Sequence, residues 1–287
     1  MQKITTPIMR ARSHLYVPAN DSSRLLKSLS RGADALIVDL EDGVSPADKD
    51  AARKNLVSFL NEVDVTTEIW VRVNPEKELL ESDLEASVHK NCRGIVLAKA
   101  NKLADVTNLD LLLTRLEKSR NITTPLEVSA LIESAAGVLN AQDIANGPRV
   151  SRLQLGEADL RADLGTSGEA GVTTIQYARS AMVFASAAAG INPPVAAVLT
   201  NFKDLDAFRK SSQEFKEWGY FGRACIHPDQ ITIANEIFTL SDEEVNAAQD
   251  ILDRLVAAGG GVALDAQGRM IDEAVAKIAR RTLGIKN

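Results

Sequence analysis

The chain has 287 residues, and 33 Lys+Arg against 39 Asp+Glu leave a formal net charge of −6. With a pI near 5.3, that balance speaks against an unassisted nucleic-acid or anionic-membrane surface, while 45% hydrophobic and 25% charged residues suit a globular enzyme or binding protein. Two cysteines, Cys92 and Cys225, give no disulfide framework, and no apolar run reaches the roughly 20 residues that span a bilayer. Residues 1–13 carry Lys3, Arg10 and Arg12 but no apolar core of a signal peptide, so the expected compartment is the cytoplasm.

Short β-rich runs alternate with longer amphipathic segments. In chain order the strand–helix pairs are His14–Pro18 with Ser22–Ser30, Asp34–Leu40 with Pro46–Asn61, Glu68–Asn74 with Leu79–Lys90, and Gly94–Lys99 with Leu103–Arg120. Glu127–Glu133 with Ala135–Ala145, Arg152–Gly156 with Gly168–Ala189, Ala196–Thr200 with Leu205–Glu217, and Arg223–His227 with Asp229–Ile237 complete the series. Most strand runs are unbroken apolar stretches such as Ala35-Leu36-Ile37-Val38, the mark of parallel strands covered on both faces. Ser45-Pro46, Asp204 and Asp229 sit where helix N-caps belong, and Gly32, Gly190 and Gly219 where helices stop. Eight such pairs predict a (β/α)8 TIM barrel over residues 12–240, with a doubly wound sheet as the alternative; no dinucleotide glycine fingerprint supports the latter. Residues 241–287 read as a C-terminal extension: a helix capped by Ser241, the Gly259–Gly261 break, a small hairpin and a last helix over Glu273–Leu283.

In a TIM barrel the active site lies where strands end. The second run ends in Asp39, Glu41 and Asp42, the third in Arg72 and Asn74, the fourth in Lys99 and the fifth in Glu133; the sixth leads into Glu157 and Asp159, and the eighth ends at His227. Carboxylates from separate strands suggest a hard divalent cation, and the arginine suggests a planar carboxylate held by a two-donor fork. No Cys/His zinc spacing is present.

These residues carry a resemblance. Arg12-Ser13-His14-Leu15-Tyr16-Val17-Pro18, Val38-Asp39-Leu40-Glu41-Asp42-Gly43-Val44, Val71-Arg72-Val73-Asn74-Pro75, the Glu133 and Asp159 segments and Ile226-His227-Pro228 resemble, in order, the motifs of the citrate lyase β-subunit-like family. The resemblance runs from about residue 12 to about 283 and implies a Mg²⁺-dependent carbon–carbon lyase acting on a 3-hydroxyacyl-CoA thioester of the citryl, malyl or citramalyl type. It implies Glu133 and Asp159 as metal ligands, Arg72 as the oxo-acid residue, and Glu41 and Asp42 as acidic residues supporting the metal's water shell. It also implies that Asp272, in the extension, enters a neighbouring subunit's site as the catalytic acid, in a homo-oligomer such as a trimer or hexamer. Arg12, Lys27 and Arg31 are candidates for the phosphates of CoA.

Structural readings compete at each position. Glu133, Asp159 and Asp272 could serve only as helix caps, Arg72 could be an ion-pair partner of Asp39 or Glu41, Lys99 could merely snorkel to water, and Arg12, Lys27 and Arg31 could be solvated surface charge. Two other functions are open: a class II aldolase of the pyruvate type acting on free hydroxy-oxo-acids, and a subunit working only within an acyl-carrier-protein-dependent citrate lyase complex.

Overall fold

A computed structural model describes residues 11–63 and 66–285; Lys3 and Arg10 lie outside the described residues. β1 (Ser13–Pro18) leads to α1 (Ser22–Ser28), and β2 (Ala35–Asp39) to a 3-10 turn at Pro46–Asp48 and then α2 (Lys49–Glu62). β3 (Glu68–Val73) precedes α3 (Lys77–Ser87), and β4 (Gly94–Leu97) precedes α4 (Leu103–Ser119). β5 (Glu127–Ile132) is followed by the short α5 (Ala135–Leu139) and α6 (Ala141–Ala145). After β6 (Val150–Leu155) come α7 (Glu157–Leu164), α8 (Gly168–Ala189) and α9 (Leu205–Trp218), and β7 (Arg223–Cys225) with α10 (Asp229–Phe238) ends the repeat.

The seven strands form one parallel sheet in the order β6-β5-β4-β3-β2-β1-β7. Its two edges are joined by residues 195 and 196: Val195 bridges Gln154 of β6 and Ala196 bridges Arg223 of β7, both in parallel. The ring therefore closes as an eight-staved barrel, and the expected seventh strand over Ala196–Thr200 shrinks to this two-residue stave. Pro193 and Pro194, which lack backbone N–H groups, stand directly before it and cannot extend the ladder. The single helix expected over Ala135–Ala145 is interrupted at Asn140, whose side-chain amide donates to the Ala100-side loop at Asn101 O (2.8 Å). Helix α7 was not foreseen in the sequence. Asp204 does cap α9 through Ala207 N, whereas Asp229 is the first residue of α10 rather than its cap.

Pleating divides each strand between two environments. Leu36 and Val38 of β2, Ile69, Val71 and Val73 of β3, and Ile95 and Leu97 of β4 face the helices in the main apolar core. Their alternates Ala35, Ile37, Trp70, Val96 and Leu131 fill the barrel interior, with Tyr16 packed against them. Near the N-terminal mouth the buried Arg152 lies over the Trp70 ring, 5.3 Å from its centroid. Continuing the same alternation upward brings Asp39, Arg72 and Glu133 to the interior at the C-terminal mouth, so the strand period itself delivers the polar layer.

The chain divides after Phe238 into two compact units. In the second unit α11 (Asp242–Ala257) starts with a capping box between Ser241 and Glu244, β8 (Ala263–Leu264) and β9 (Met270–Ile271) pair antiparallel, and α12 (Glu273–Thr282) follows. Ile271 packs on Leu255 and Ala276 inside this unit, while Val262, Leu264 and Met270 are each 59% exposed. Among the described residues no helix is long and apolar enough to cross a membrane.

Candidate active site

The site is organised around an in-register pair. Asp39 and Arg72 are Cα partners at the ends of β2 and β3, so their side chains meet across the ladder. Arg72 Nε and Nη2 donate to Asp39 Oδ1 (2.7 Å) and Oδ2 (2.6 Å), and Glu41 N (2.9 Å) and Gly43 N (3.0 Å) donate to the same two oxygens. Asp39 is thus a buried carboxylate with four donors. The turn needs glycine at position 43 for space, since a Cβ there would stand 2.3 Å from Asp39 Oδ2. Tyr16 supports Arg72 from its other side, with the guanidinium carbon 5.1 Å from the ring centroid, and Tyr16 itself donates to Gln154 Oε1 at 3.0 Å. Burial opposes the Arg72 charge, but the hydrogen bonds and charge of Asp39 outweigh it and the pKa is raised.

Glu41 is buried beside this pair. Its Oε1 accepts from Lys99 Nζ at 2.5 Å, and its Oε2 accepts from Asp42 N at 2.8 Å and lies 3.1 Å from Arg72 Nη1. Burial pushes its pKa up, with Arg72 and Lys99 working against the shift. The loop carrying it is tied down from below: Lys49 Nζ donates to Leu40 O (2.7 Å), Glu41 O (2.8 Å) and Asn74 Oδ1 (2.8 Å). Asn74 in turn donates through its amide to Asp83 Oδ2 at 2.6 Å, and Asp83 accepts from Arg53 Nε at 2.8 Å. Both oxygens of Glu41 are therefore engaged by protein donors. Asp42 is the exposed member, 3.6 Å from Lys99 Nζ.

Glu133 and Asp159 line one cavity of about 340 Å³ together with Arg72, Asp39, Tyr16 and Gln154. Glu133 is 5% exposed, and its Oε2 accepts from Lys99 N at 3.1 Å. Burial pushes its carboxyl up to about 8; Arg72 opposes this, while Asp159 and Glu41 add to it. Gly156 lets the side chain lie flat against β6, because a Cβ there would come within 2.6 Å of Glu133 Cγ. Asp159 sits in the first turn of α7, whose start is fixed by the two-donor grip of Arg179 on Glu157 (2.6 and 2.8 Å). Among the described residues no group of three or more His, Cys, Asp or Glu forms a closed metal cage. Two hard oxygen donors beside an open cavity fit a cation that keeps water or substrate oxygens. The charge pattern agrees: at this mouth Asp39, Glu41, Asp42, Glu133 and Asp159 face Arg72, Lys99 and Lys49, leaving carboxylates in excess among the described residues.

Lys27 and Arg31 line a second cavity of about 410 Å³, with Arg24 and His227, and it shares Tyr16, Pro18, Arg24 and Ile226 with the first. Arg12 is not part of this group. It precedes β1, at the opposite mouth, where its Nε and Nη2 donate to Asp34 at 2.7 and 2.9 Å. His227 stacks on Phe202, with ring centroids 5.1 Å apart. Asp272, in the second unit, caps α12 by accepting from Val275 N at 3.0 Å. Asp39 was visible in the sequence only as a strand-end carboxylate and a possible partner of Arg72; Tyr16, Gln154 and Lys49 had no place in the sequence-based site.

A closed parallel barrel with acidic residues, an arginine and a cavity at its C-terminal mouth is the layout of a barrel enzyme. The chain belongs to the HpcH/HpaI aldolase/citrate lyase family, whose profile matches residues 12–228. It is 32% identical to the citrate lyase subunit beta of Leuconostoc mesenteroides subsp. cremoris over 284 residues, covering 96% of this chain and 93% of that one. It is also 32% identical to an L-malyl-CoA/beta-methylmalyl-CoA lyase of Cereibacter sphaeroides, over 95% of this chain and 93% of the relative. Protein CitE from Mycobacterium tuberculosis, in a complex with magnesium, acetoacetate and coenzyme A, superimposes with a TM-score of 0.75 at 28% identity over 97% of each chain.

Proposed function

We propose that this protein is a Mg²⁺-dependent carbon–carbon lyase that cleaves a 3-hydroxyacyl-CoA thioester of the citryl, malyl or citramalyl type into an oxo-acid and an acyl-CoA. The observation that carries the reading is the placement of buried Glu133 with Asp159 in a cavity walled by Arg72, which shares Tyr16, Pro18, Arg24 and Ile226 with a basic cavity at Lys27 and Arg31. An elongated thioester fits that arrangement, with its reacting end at the carboxylates and its phosphates at the groove. Relatives named for malyl-CoA and citrate chemistry, and a similar structure that holds magnesium and coenzyme A, support the same assignment.

The reaction is a retro-Claisen cleavage. A base takes the 3-hydroxyl proton, the C2–C3 electron pair moves to C2, C3 becomes the carbonyl of the oxo-acid, and the thioester enolate takes a proton at C2. Glu133 and Asp159 would hold Mg²⁺, which when bound supplies a Lewis acid and a template for the oxo-acid's oxygens. Arg72 has five N–H donors; those directed at neither Asp39 nor Glu41 offer the oxo-acid carboxylate a charge-assisted contact, and the Asp39 fork fixes the plane in which they point. Lys27 and Arg31 would receive the carrier's phosphates. Asp272, delivered by the extension of a neighbouring subunit in a homo-oligomer, is the proposed acid for C2.

Incubation with Mg²⁺ and malyl-, citramalyl- or citryl-CoA, read as oxo-acid released, tests the reading, with free hydroxy-oxo-acids and acyl-carrier-protein thioesters in parallel. Thioester cleavage that stops with chelator, Glu133→Gln or Asp159→Asn supports it. Turnover confined to free acids would establish the aldolase alternative, and turnover confined to the carrier-protein thioester the citrate lyase subunit. Full activity in excess chelator overturns the metal assignment.

A further inference from the structure

Lys99 is in an unusual backbone state for its residue type. Its φ of 51° lies in the left-handed region, where a lysine pays a steric penalty that glycine does not. Such conformations persist where the surroundings demand them, and they gather at functional sites. The demand is visible in the strand. Ile95 and Leu97 of β4 face the helices, so simple pleating would send the side chain of residue 99 the same way. The left-handed turn redirects it to the mouth. There Nζ reaches Glu41 Oε1 at 2.5 Å, spanning the position of β3 between them. The same turn aims the backbone: Lys99 N donates to Glu133 Oε2 (3.1 Å), and the next amide, Ala100 N, returns to Leu131 O of β5 (3.1 Å).

We propose that Lys99 is a positioning residue that links the two acidic parts of the site, its amide orienting Glu133 and its ammonium holding Glu41 so that Glu41 in turn fixes Arg72. The Glu41 carboxylate has only two cationic partners among the described residues, Lys99 and Arg72. With the ammonium present, Glu41 is pulled from one side by β4 and from the other by β3, and its Oε2 stays 3.1 Å from Arg72 Nη1. Without it, Glu41 draws on Arg72 alone and the guanidinium edge nearest the cavity shifts toward Glu41. Snorkelling accounts for neither the left-handed backbone nor the ion pair with a buried carboxylate, since a lysine seeking water needs neither. The role rests on the lyase reading only for its kinetic assay.

Three substitutions separate the two contributions, because all keep the amide N–H while changing the side chain. Lys99→Gly and Lys99→Ala should lower kcat/KM for thioester cleavage by about 10–150-fold, the range for losing a charge-assisted contact. Lys99→Arg should recover to within roughly threefold, since it restores a cation near Glu41. The melting temperature of Lys99→Gly should equal or exceed that of Lys99→Ala, because the backbone state favours glycine. Wild-type kcat/KM in Lys99→Gly overturns the proposal, as does Lys99→Arg being as impaired as Lys99→Gly. A wild-type protein inactive on every thioester overturns the lyase reading instead. The crystal structure of Lys99→Gly then decides: Glu41 displaced from its position beside Arg72 supports the role, and Glu41 unmoved refutes it.

Discussion

Replacing Asp39 by asparagine changes one atom and tests the centre of the site. Each oxygen of Asp39 accepts one guanidinium N–H and one backbone N–H: Oδ1 takes Arg72 Nε and Glu41 N, and Oδ2 takes Arg72 Nη2 and Gly43 N. Whichever way the amide of Asp39→Asn turns, its NH2 faces two donors, so one charged and one neutral hydrogen bond are lost. Those are worth about 1.5–3 and about 0.5–1.5 kcal/mol, giving a destabilisation of roughly 2–4.5 kcal/mol. At about 2–4 °C per kcal/mol for a domain of this size, the melting temperature should fall by about 4–18 °C. With Arg72 no longer held in plane, kcat/KM for thioester cleavage should fall about 10–100-fold. Differential scanning fluorimetry and oxo-acid release measure the two effects on the same preparation. A variant that melts within about 2 °C of the parent and retains its kcat/KM would show that Asp39 does not hold Arg72, and the argument would fail.

Gly156→Ala should weaken Mg²⁺ activation and lower the melting temperature of the metal-free protein, because the new Cβ lands 2.6 Å from Cγ of the buried Glu133; an unchanged Mg²⁺ dependence would refute the close fit. In metal-free protein the Glu133 carboxyl, raised to about 8 by burial, holds a proton that the unfolded chain has already lost. Stability should therefore decline as pH rises from the ordinary carboxyl range to about 8, and the decline should flatten in Glu133→Gln; an equal slope in the variant, by thermal melts across pH, rules this out. Asp272→Asn keeps the cap on Val275 N but removes the acid, so it should lose turnover without losing stability. Mixed oligomers of Asp272→Asn and Glu133→Gln subunits should regain part of the activity, and mixed oligomers that form but stay inactive exclude action in trans.

The strand–helix alternation was legible because parallel strands sheathed by helices must be apolar on both faces, as Ala35-Leu36-Ile37-Val38 is. The acidic strand ends were legible for the same reason, since a charge ending such a run belongs to the mouth of the barrel. Stagger was not. That Asp39 lies opposite Arg72 depends on the register of β2 against β3, which no local pattern encodes, and so the sequence left two readings of Arg72 open, a fork for substrate and an ion pair with Asp39 or Glu41, where the structure shows Nε and Nη2 gripping Asp39. The left-handed state of Lys99 was equally hidden, because lysine carries no preference for it. The placement of Arg12 was readable and misread: a residue before the first strand belongs to the N-terminal mouth, away from Lys27 and Arg31. Ile271 finds its cover on Leu255 and Ala276 within its own unit.

The two-residue stave at Val195 and Ala196 makes the barrel a ring with a clasp. Its connections to either side are few: Asn192 N to Ser151 O and Val195 N to Leu153 O on β6, and Phe221 N to Pro194 O, Ala196 N to Gly222 O and Ala224 N to Ala196 O on the β7 side. A ring of hydrogen-bonded strands opens where the fewest bonds must break together, so amide exchange at this clasp should be the fastest of the inner wall. Two residues beyond it, Val198 forms part of the cavity wall. Any excursion that loosens the clasp therefore loosens the wall beside Glu133 and Asp159, and a bound ligand spanning the cavity would act as the rivet that keeps the ring shut.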